Sequence, residues 1–401
     1  MNINSRMTTQ LYKALDGFEI ELPSWGFADT GSRFGKFFQD AAASTLEEKL
    51  HDAGLVHHLT GACPTVAVHV LWDFSEGEKP AATARLAAKH GVRIGSINPN
   101  VFQDQQYKLG SFCSPDPLAR KSALDHTLAS VQIGRAVKSR HLTMWLADGT
   151  NYPGQDNLRR RKRDLEKAFK KIHDAMPSSM TLLVEYKPFE PAFYHTDLAD
   201  WGMAYVLSKH AGNRAKVLVD TGHHLQGANI EHIVAHLLDE QMLGGFHFND
   251  RKYADDDLTL GSIDPYAAFR IFHEIAQYTF DTGRDPKLAY MIDQSHNLKP
   301  KIEAMVQSVD QAQKLFLKAQ LVDRKALCRA QGKGDLVIAE ELLRDAYETD
   351  VRQVLTQWRK RRKLPADPIK QLRASGIVRR LGRERAAARK ARGEVQSASY
   401  A

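Results

Sequence analysis

The chain has 401 residues, 43% of them hydrophobic and 26% charged, with a formal net charge of +8. That is enough apolar material for one large α/β domain with an extension, or for two domains, and no stretch nears the roughly eighteen consecutive apolar residues of a membrane span. The three cysteines, Cys63, Cys113 and Cys328, lie far apart with no C-x-x-C spacing, which argues against a disulfide framework or a thiolate metal site.

The N-terminal segment "MNINSRMTTQLYKALDGFEIEL" has neither the basic start nor the apolar run of a signal peptide, so a soluble, cytoplasmic protein is expected. Eight short apolar runs follow: "IELPSWGF" from Ile20, "TVAVHVLW" from Thr65, "VRIGSIN" from Val92, "HLTMWLAD" from His141, "TLLVEYK" from Thr181, "KVLVDTGH" from Lys216, "LGGFHFND" from Leu243 and "LAYMIDQSH" from Leu288. Helical patterns separate them. Leu158, Leu165, Phe169, Ile172 and Met176 form one stripe, which places the charges of "RRRKR" (Arg159 to Arg163) in water. Ile230, Ile233, Val234, Leu237 and Leu238 keep the i, i+3, i+4, i+7, i+8 spacing, and "KIEAMVQSVDQAQKLF" follows the last run. Strand and helix alternating eight times predicts a (β/α)8 TIM barrel over residues 1–325. Additional C-terminal helices are expected over 326–375, then a basic, flexible tail over 376–401. A doubly wound open sheet gives the same alternation.

The polar residues at the strand ends favour the barrel. The second strand ends in His69, Trp72 and Asp73, the third in Asn98, the fourth in Trp145 and Asp148, and the fifth in Glu185 and Lys187. Asp220 and His223 end the sixth, His247 and Asp250 the seventh, Asp293 and His296 the eighth. A barrel gathers such residues at its C-terminal mouth, whereas an open sheet spreads them along an edge. Residues i and i+2 of a strand share a face, so Glu185 and Lys187 reach one spot, where an isolated carboxylate would be expensive. Glu185, Asp220, His247 and Asp293 offer three carboxylates and an imidazole, a hard set suited to Mn²⁺, Mg²⁺ or Co²⁺. Asp255 and Asp257, with His223, could hold a second ion, with Glu185 bridging the two. Taken singly, each residue has a plainer role: a strand histidine is usually hydrogen-bonded, "DDD" in a loop is usually solvated, and Trp72, Phe102 and Trp145 could be core or a substrate wall.

"VEYKPFEP" and "HFNDRKYADDDL" resemble the E-x-K-P-x-x-E-P segment and the metal loop of the xylose-isomerase-like barrels. "DTGHH" and "MIDQSHNLKPKIEAMVQSV" add a resemblance to the bacterial catabolic L-rhamnose isomerases over roughly residues 20–375. The resemblance implies a two-metal aldose–ketose isomerase converting L-rhamnose to L-rhamnulose by a hydride shift from C2 to C1. Its ions would be Mn²⁺ foremost, with Co²⁺, Mg²⁺ or Zn²⁺ as alternatives. It places Glu185, Asp220, His247 and Asp293 on one ion and Glu185, His223, Asp255 and Asp257 on the other. Lys187 would stabilise charge developing at O1, His69 would act as acid and base in ring opening, and Asp293 is counted with them in the catalytic group. It also implies a homotetramer with the helices after the barrel packed between subunits.

Other functions fit less well. Two "DTG" triplets, at Asp29 and Asp220, suggest an aspartic protease, but such enzymes are almost entirely β. Ketose 3-epimerases on this barrel use a pair of glutamates, where this chain has Asp293 and Lys187. Abasic-site endonucleases need more histidine ligands. From Val351 to Ala401 there are fifteen Lys and Arg against three Asp and Glu, a charge of +12 that leaves the preceding residues at −4. Without interleaved aromatic residues, the expectation is a solvated helix and frayed terminus, not a nucleic-acid platform.

Overall fold

The computed structural model describes residues 3–32, 35–74, 77, 79–190, 196–253 and 255–394. Its eight apolar runs become eight strands: β1 (Leu22–Pro23), β2 (Thr65–His69), β3 (Arg93–Asn98), β4 (His141–Met144), β5 (Thr181–Glu185), β6 (Ala215–Asp220), β7 (Leu243–Phe248) and β8 (Ala289–Ile292). Each pairs in parallel with the next in chain order. The sheet closes through a parallel bridge between Glu21 and Met291, where the Glu21 amide donates to Tyr290 (2.7 Å) and the Ile292 amide to Glu21 (3.1 Å). A closed parallel sheet is buried on both faces, which is why Leu182, Leu183 and Val184 are continuously apolar and enclosed. Gly95 in β3 leaves room inside the barrel for the Glu21 carboxylate, which accepts from the Ser96 amide; burial pushes that carboxyl up.

After α1 (Ser5–Asp16), the helices α2 (Leu46–Thr60), α3 (Pro80–Lys89), α4 (Pro117–Val137), α5 (Leu158–Ala175), α6 (Trp201–Ala211), α7 (Ile230–Asp239), α8 (Pro265–Thr282) and α9 (Lys301–Gln320) alternate with the strands. Side-chain N-caps fix where several of them start: Thr45 with Glu48 in a capping box, then Asp116, Asn157, Asp200, Asn229 and Asp264. Five further helices follow: α10 (Arg324–Lys333), α11 (Leu336–Glu348), α12 (Arg352–Arg361), α13 (Pro368–Ser375) and α14 (Ile377–Ala391). In α12, Trp358 Nε1 donates to Asp16 (2.9 Å) and Arg359 to Asp310 and Gln313 (both 2.7 Å), tying the extension to α1 and α9. Among the described residues no helix is long and apolar enough to cross a membrane.

Two charge-run expectations are corrected. Arg161 does not face water: it is 1% exposed, with its guanidinium on Asp197 (2.8 and 3.0 Å) and Asp156 (2.9 Å). The segment from 376 is helical, as expected, but two of its arginines are not solvated. It forms α14, with Arg385 and Arg389 buried; residues 395–401 lie outside the described residues. In each case a guanidinium matched to carboxylates or carbonyls is buried where periodicity alone would turn it outward.

Candidate metal centre and active site

The C-terminal ends of β5, β6, β7 and the turn after β8 bring one ligand atom each from Glu185, Asp220, His247 and Asp293 within 4.8 Å of one another. His247 Nδ1 lies 3.3 Å from both Glu185 Oε1 and Asp293 Oδ2, and 3.9 Å from Asp220 Oδ2. It is enclosed, yet in hydrogen-bond geometry with no partner among the described residues. A buried imidazole nitrogen facing three carboxylates without bonding any of them fits a cation at their centre. The local charges agree. Burial opposes protonating His247, but Glu185 and Asp293 raise it well above the ordinary imidazole range. Burial and then the charges of Glu185 and Asp293 push Asp220 up to about 7, against the pull of His223 and His247.

Asp220 is held from outside the cluster. Its Oδ1 accepts from the Gly222 amide (2.7 Å) and from Asn249 Nδ2 (3.0 Å). A Cβ at Gly222 would stand 2.5 Å from Asn249 Oδ1, so a larger residue there would push the Asn249 side chain off Asp220. Outer hydrogen bonds of this kind orient a ligand and were not foreseen for Asn249. Neither was Trp25, which sits in a short 3₁₀ turn (Trp25–Phe27) after β1. Its Nε1 donates to Asp293 Oδ1 (2.9 Å), leaving Oδ2 toward His247.

The second predicted set is partly assembled. His223 donates or accepts at Nδ1 with the Tyr186 carbonyl (3.0 Å); since a carbonyl only accepts, Nδ1 carries the proton there. Nε2 then meets Asp255 Oδ1 at 3.0 Å, and Glu185 Oε1 lies 3.3 Å from Nδ1. Burial alone would lower His223, but Asp220 and Asp255 raise it to about 10. Asp257 feels Asp255, Asp293 and Asp220, and burial with those charges holds its carboxyl well above the usual range. No group uniting His223, Asp255 and Asp257 with all ligand atoms within 4.8 Å is found among the described residues. Asp255 and Asp257 both have positive φ, 49° and 48°, in the left-handed region that aspartate enters more readily than most L-residues.

Lys187 is 5% exposed; its Nζ bonds Glu190 Oε2 (2.9 Å) and Asp255, and lies 5.3 Å from the Trp145 ring centre. Burial would favour the neutral amine, but Asp255 and Glu190 raise its pKa, so it stays an ammonium. Trp145 contacts Phe102 (4.8 Å between rings), Phe102 contacts Trp72 (6.1 Å), and His69 sits between Trp72 (4.2 Å) and Trp25 (4.8 Å). The predicted aromatic residues thus form one continuous wall that also holds His69. Burial pushes His69 down to about 4, against the charges of Asp73 and Asp293, and its enclosed Nδ1 has no hydrogen-bond partner among the described residues.

Other strand-end polar residues expected at the mouth are occupied structurally. Asp73 pairs with Lys49 (2.7 Å), Asp148 accepts from Ser111 and Cys113, Asn98 donates to the Val68 carbonyl, and Asp250 accepts from the Ile263 and Asp264 amides. His296 meets Thr259 Oγ1 at 3.0 Å.

Residues 62–281 match the family described as xylose isomerase-like TIM barrel. The chain belongs to this family. It is 39% identical over 380 residues to a probable sugar isomerase of Mesorhizobium japonicum, covering 93% of this chain and 87% of that protein. A probable sugar isomerase of Rhizobium meliloti is 38% identical, with 92% and 87% covered. Among solved structures, an L-ribulose 3-epimerase (TM-score 0.52, 15% identity, 80% of this chain and 98% of that one) shares the fold. So does a D-allulose 3-epimerase from Methylomonas sp. (TM-score 0.54, 14% identity, 76% and 98% covered).

Proposed function

We propose that this member of the xylose isomerase-like family is a divalent-metal-dependent aldose–ketose isomerase, acting on L-rhamnose as a homotetramer. The observation that carries the isomerase reading is the convergence of Glu185, Asp220, His247 and Asp293 beside a buried, permanently protonated Lys187. The names of the two bacterial relatives support a sugar substrate, and the motif resemblance supports rhamnose. In this reading Glu185, Asp220, His247 and Asp293 hold one ion, and Glu185, His223, Asp255 and Asp257 hold a second, with Mn²⁺ preferred. Bound divalent ions supply Lewis acidity at the sugar oxygens and lower the pKa of a bound water.

The chain's own groups do the rest. Burial keeps the His69 imidazole in its neutral form, able to accept the proton released when the sugar ring opens and to return it afterwards. The wall of Trp25, Trp72, Phe102 and Trp145 excludes water from that exchange. The Lys187 ammonium, fixed by Asp255 and Glu190, donates to the oxygen where negative charge grows as hydrogen passes from C2 to C1.

The test is Mn²⁺-loaded protein offered a panel of aldoses in heavy water, with ketose formation and deuterium position measured. Rhamnose converted without deuterium at C1 is expected. Deuterium at C1 would overturn the hydride route, and deuterium at C3 of recovered ketose would assign a 3-epimerase instead.

A further inference from the structure

The basic C-terminal segment has no part in the chemistry above, yet two of its arginines are among the most thoroughly bonded side chains in the protein. Arg389 donates to the carbonyls of Asp40 (2.8 Å) and Ala42 (3.1 Å). Arg385 donates to the carbonyl of Ala41 (2.5 Å), to that of Glu48 (3.3 Å), and to both oxygens of Asp52 (2.7 and 2.8 Å). All three side chains are enclosed, Asp52 completely. Between them, Gly382 of α14 lets the helix come so close that a Cβ there would stand 3.3 Å from the Cβ of Asp40.

The backbone they grip is not a remote surface. Ala43, next to Ala42, donates its amide to the Phe27 carbonyl (2.9 Å), in a parallel bridge joining Ala28 to Ala43. Phe27 ends the turn that carries Trp25, and Trp25 holds Asp293 and packs on His69. The line from Arg389 to Asp293 is therefore an unbroken series of short contacts through a single loop. We infer that α14 is a clamp on the β1–α2 loop, with Arg389 and Arg385 as positioning residues that hold Trp25 against Asp293 and His69. The inference goes beyond the isomerase proposal but rests on it for its kinetic consequence.

The experiment uses the full chain with Arg389→Met, Arg389→Lys and, as a control on the exposed face of α14, Arg379→Met. Three quantities are read: amide exchange over residues 25–45, Mn²⁺ affinity, and kcat and KM on the aldose that wild type turns over. Arg389→Met leaves the buried Ala42 carbonyl and the part-buried Asp40 carbonyl without this donor, so exchange over 25–45 should rise about tenfold or more. Mn²⁺ affinity and kcat should each fall about tenfold through Asp293 and Trp25. Arg389→Lys, able to serve one carbonyl, should recover most of both, and Arg379→Met should match wild type. If Arg389→Met does not fold, the same comparison is made with Arg389→Lys alone, which should then show the smaller shift in all three. Unchanged exchange over 25–45 would overturn the clamp. Faster exchange with Mn²⁺ affinity and kcat unchanged would overturn its positioning role. Wild-type protein that binds Mn²⁺ but isomerises no sugar would defeat the isomerase proposal, while exchange and Mn²⁺ affinity would still decide the clamp.

Discussion

Replacing Lys187 with methionine separates the proposed chemistry from simple packing, because methionine keeps most of the stem volume and removes only the charge. The residue is 5% exposed, and its ammonium serves Asp255 and Glu190. Breaking a fully buried ion pair by removing one partner costs about 3–5 kcal/mol. Here the loss should be smaller, about 1–3 kcal/mol, since Asp255 keeps His223 at 3.0 Å and the Glu190 side chain is 29% exposed. Loss of one preorganised donor to a developing negative charge lowers turnover by about 10²–10³-fold. Lys187→Met should therefore melt somewhat earlier, still fill both sites at saturating Mn²⁺ but hold the second ion more weakly, and lose at least about a hundredfold in kcat with a much smaller change in KM. Metal stoichiometry, thermal melting and steady-state kinetics on one preparation make the comparison. A kcat within a few-fold of wild type with both ions bound would refute the reasoning and leave Lys187 as a structural partner of Asp255.

Chelation should abolish activity and lower the melting temperature, and Mn²⁺ or Co²⁺ should restore both, with about 4 kcal/mol of stabilisation at a thousandfold excess over Kd; full activity after exhaustive demetallation would refute the metal proposal. His69→Asn should slow turnover of the cyclic aldose by about a hundredfold or more without changing Mn²⁺ affinity, and an equal loss of metal would reassign His69 as a ligand. His273, buried with no hydrogen-bond partner for its Nδ1 among the described residues, is pushed down to about 4 by burial and then by Arg324. Below pH 6.5 the unfolded chain therefore takes up a proton that the folded one refuses. Its stabilising contribution, complete above pH 6.5, should fade toward pH 4 by up to about 3 kcal/mol, and urea titrations of His273→Asn should show a flatter slope across that window.

The parts of the site legible in the sequence are those that strands impose. Glu185, Asp220 and His247 end β5, β6 and β7, and Asp293 follows β8, so strand order alone predicts that they meet. Apolar runs such as Leu182 to Val184 are legible for the same reason, since a closed parallel sheet leaves them no solvent face. Trp25 escaped notice because its role depends on which way a turn aims one N–H, and Asn249 because its partner Asp220 lies on a different strand. Periodicity turns Arg161 outward because it cannot see Asp197, and the charge count of the C-terminal segment cannot see the partners of Arg385 and Arg389, Asp52 and the carbonyls of Asp40 to Ala42. Asp73, Asp148 and Asp250 stand at strand ends as expected, yet nearby donors claimed them first.

These differences bear on how the site is built. The first proposed ligand set stands on barrel strands and the turn after β8, with Asn249, Gly222 and Trp25 fixing the carboxylates from behind. The second depends on Asp255 and Asp257, two aspartates held at positive φ in one loop, with Lys187 bonded to Asp255. Rigid strands fix geometry before anything binds, whereas a loop keeps its shape only while its partners hold it. Lys187 and His223 are those partners for Asp255, and both belong to the proposed chemistry. The cation that would stabilise charge on the sugar thus also secures the loop carrying half of the second ligand set, which couples the electrophile and that ion through one carboxylate.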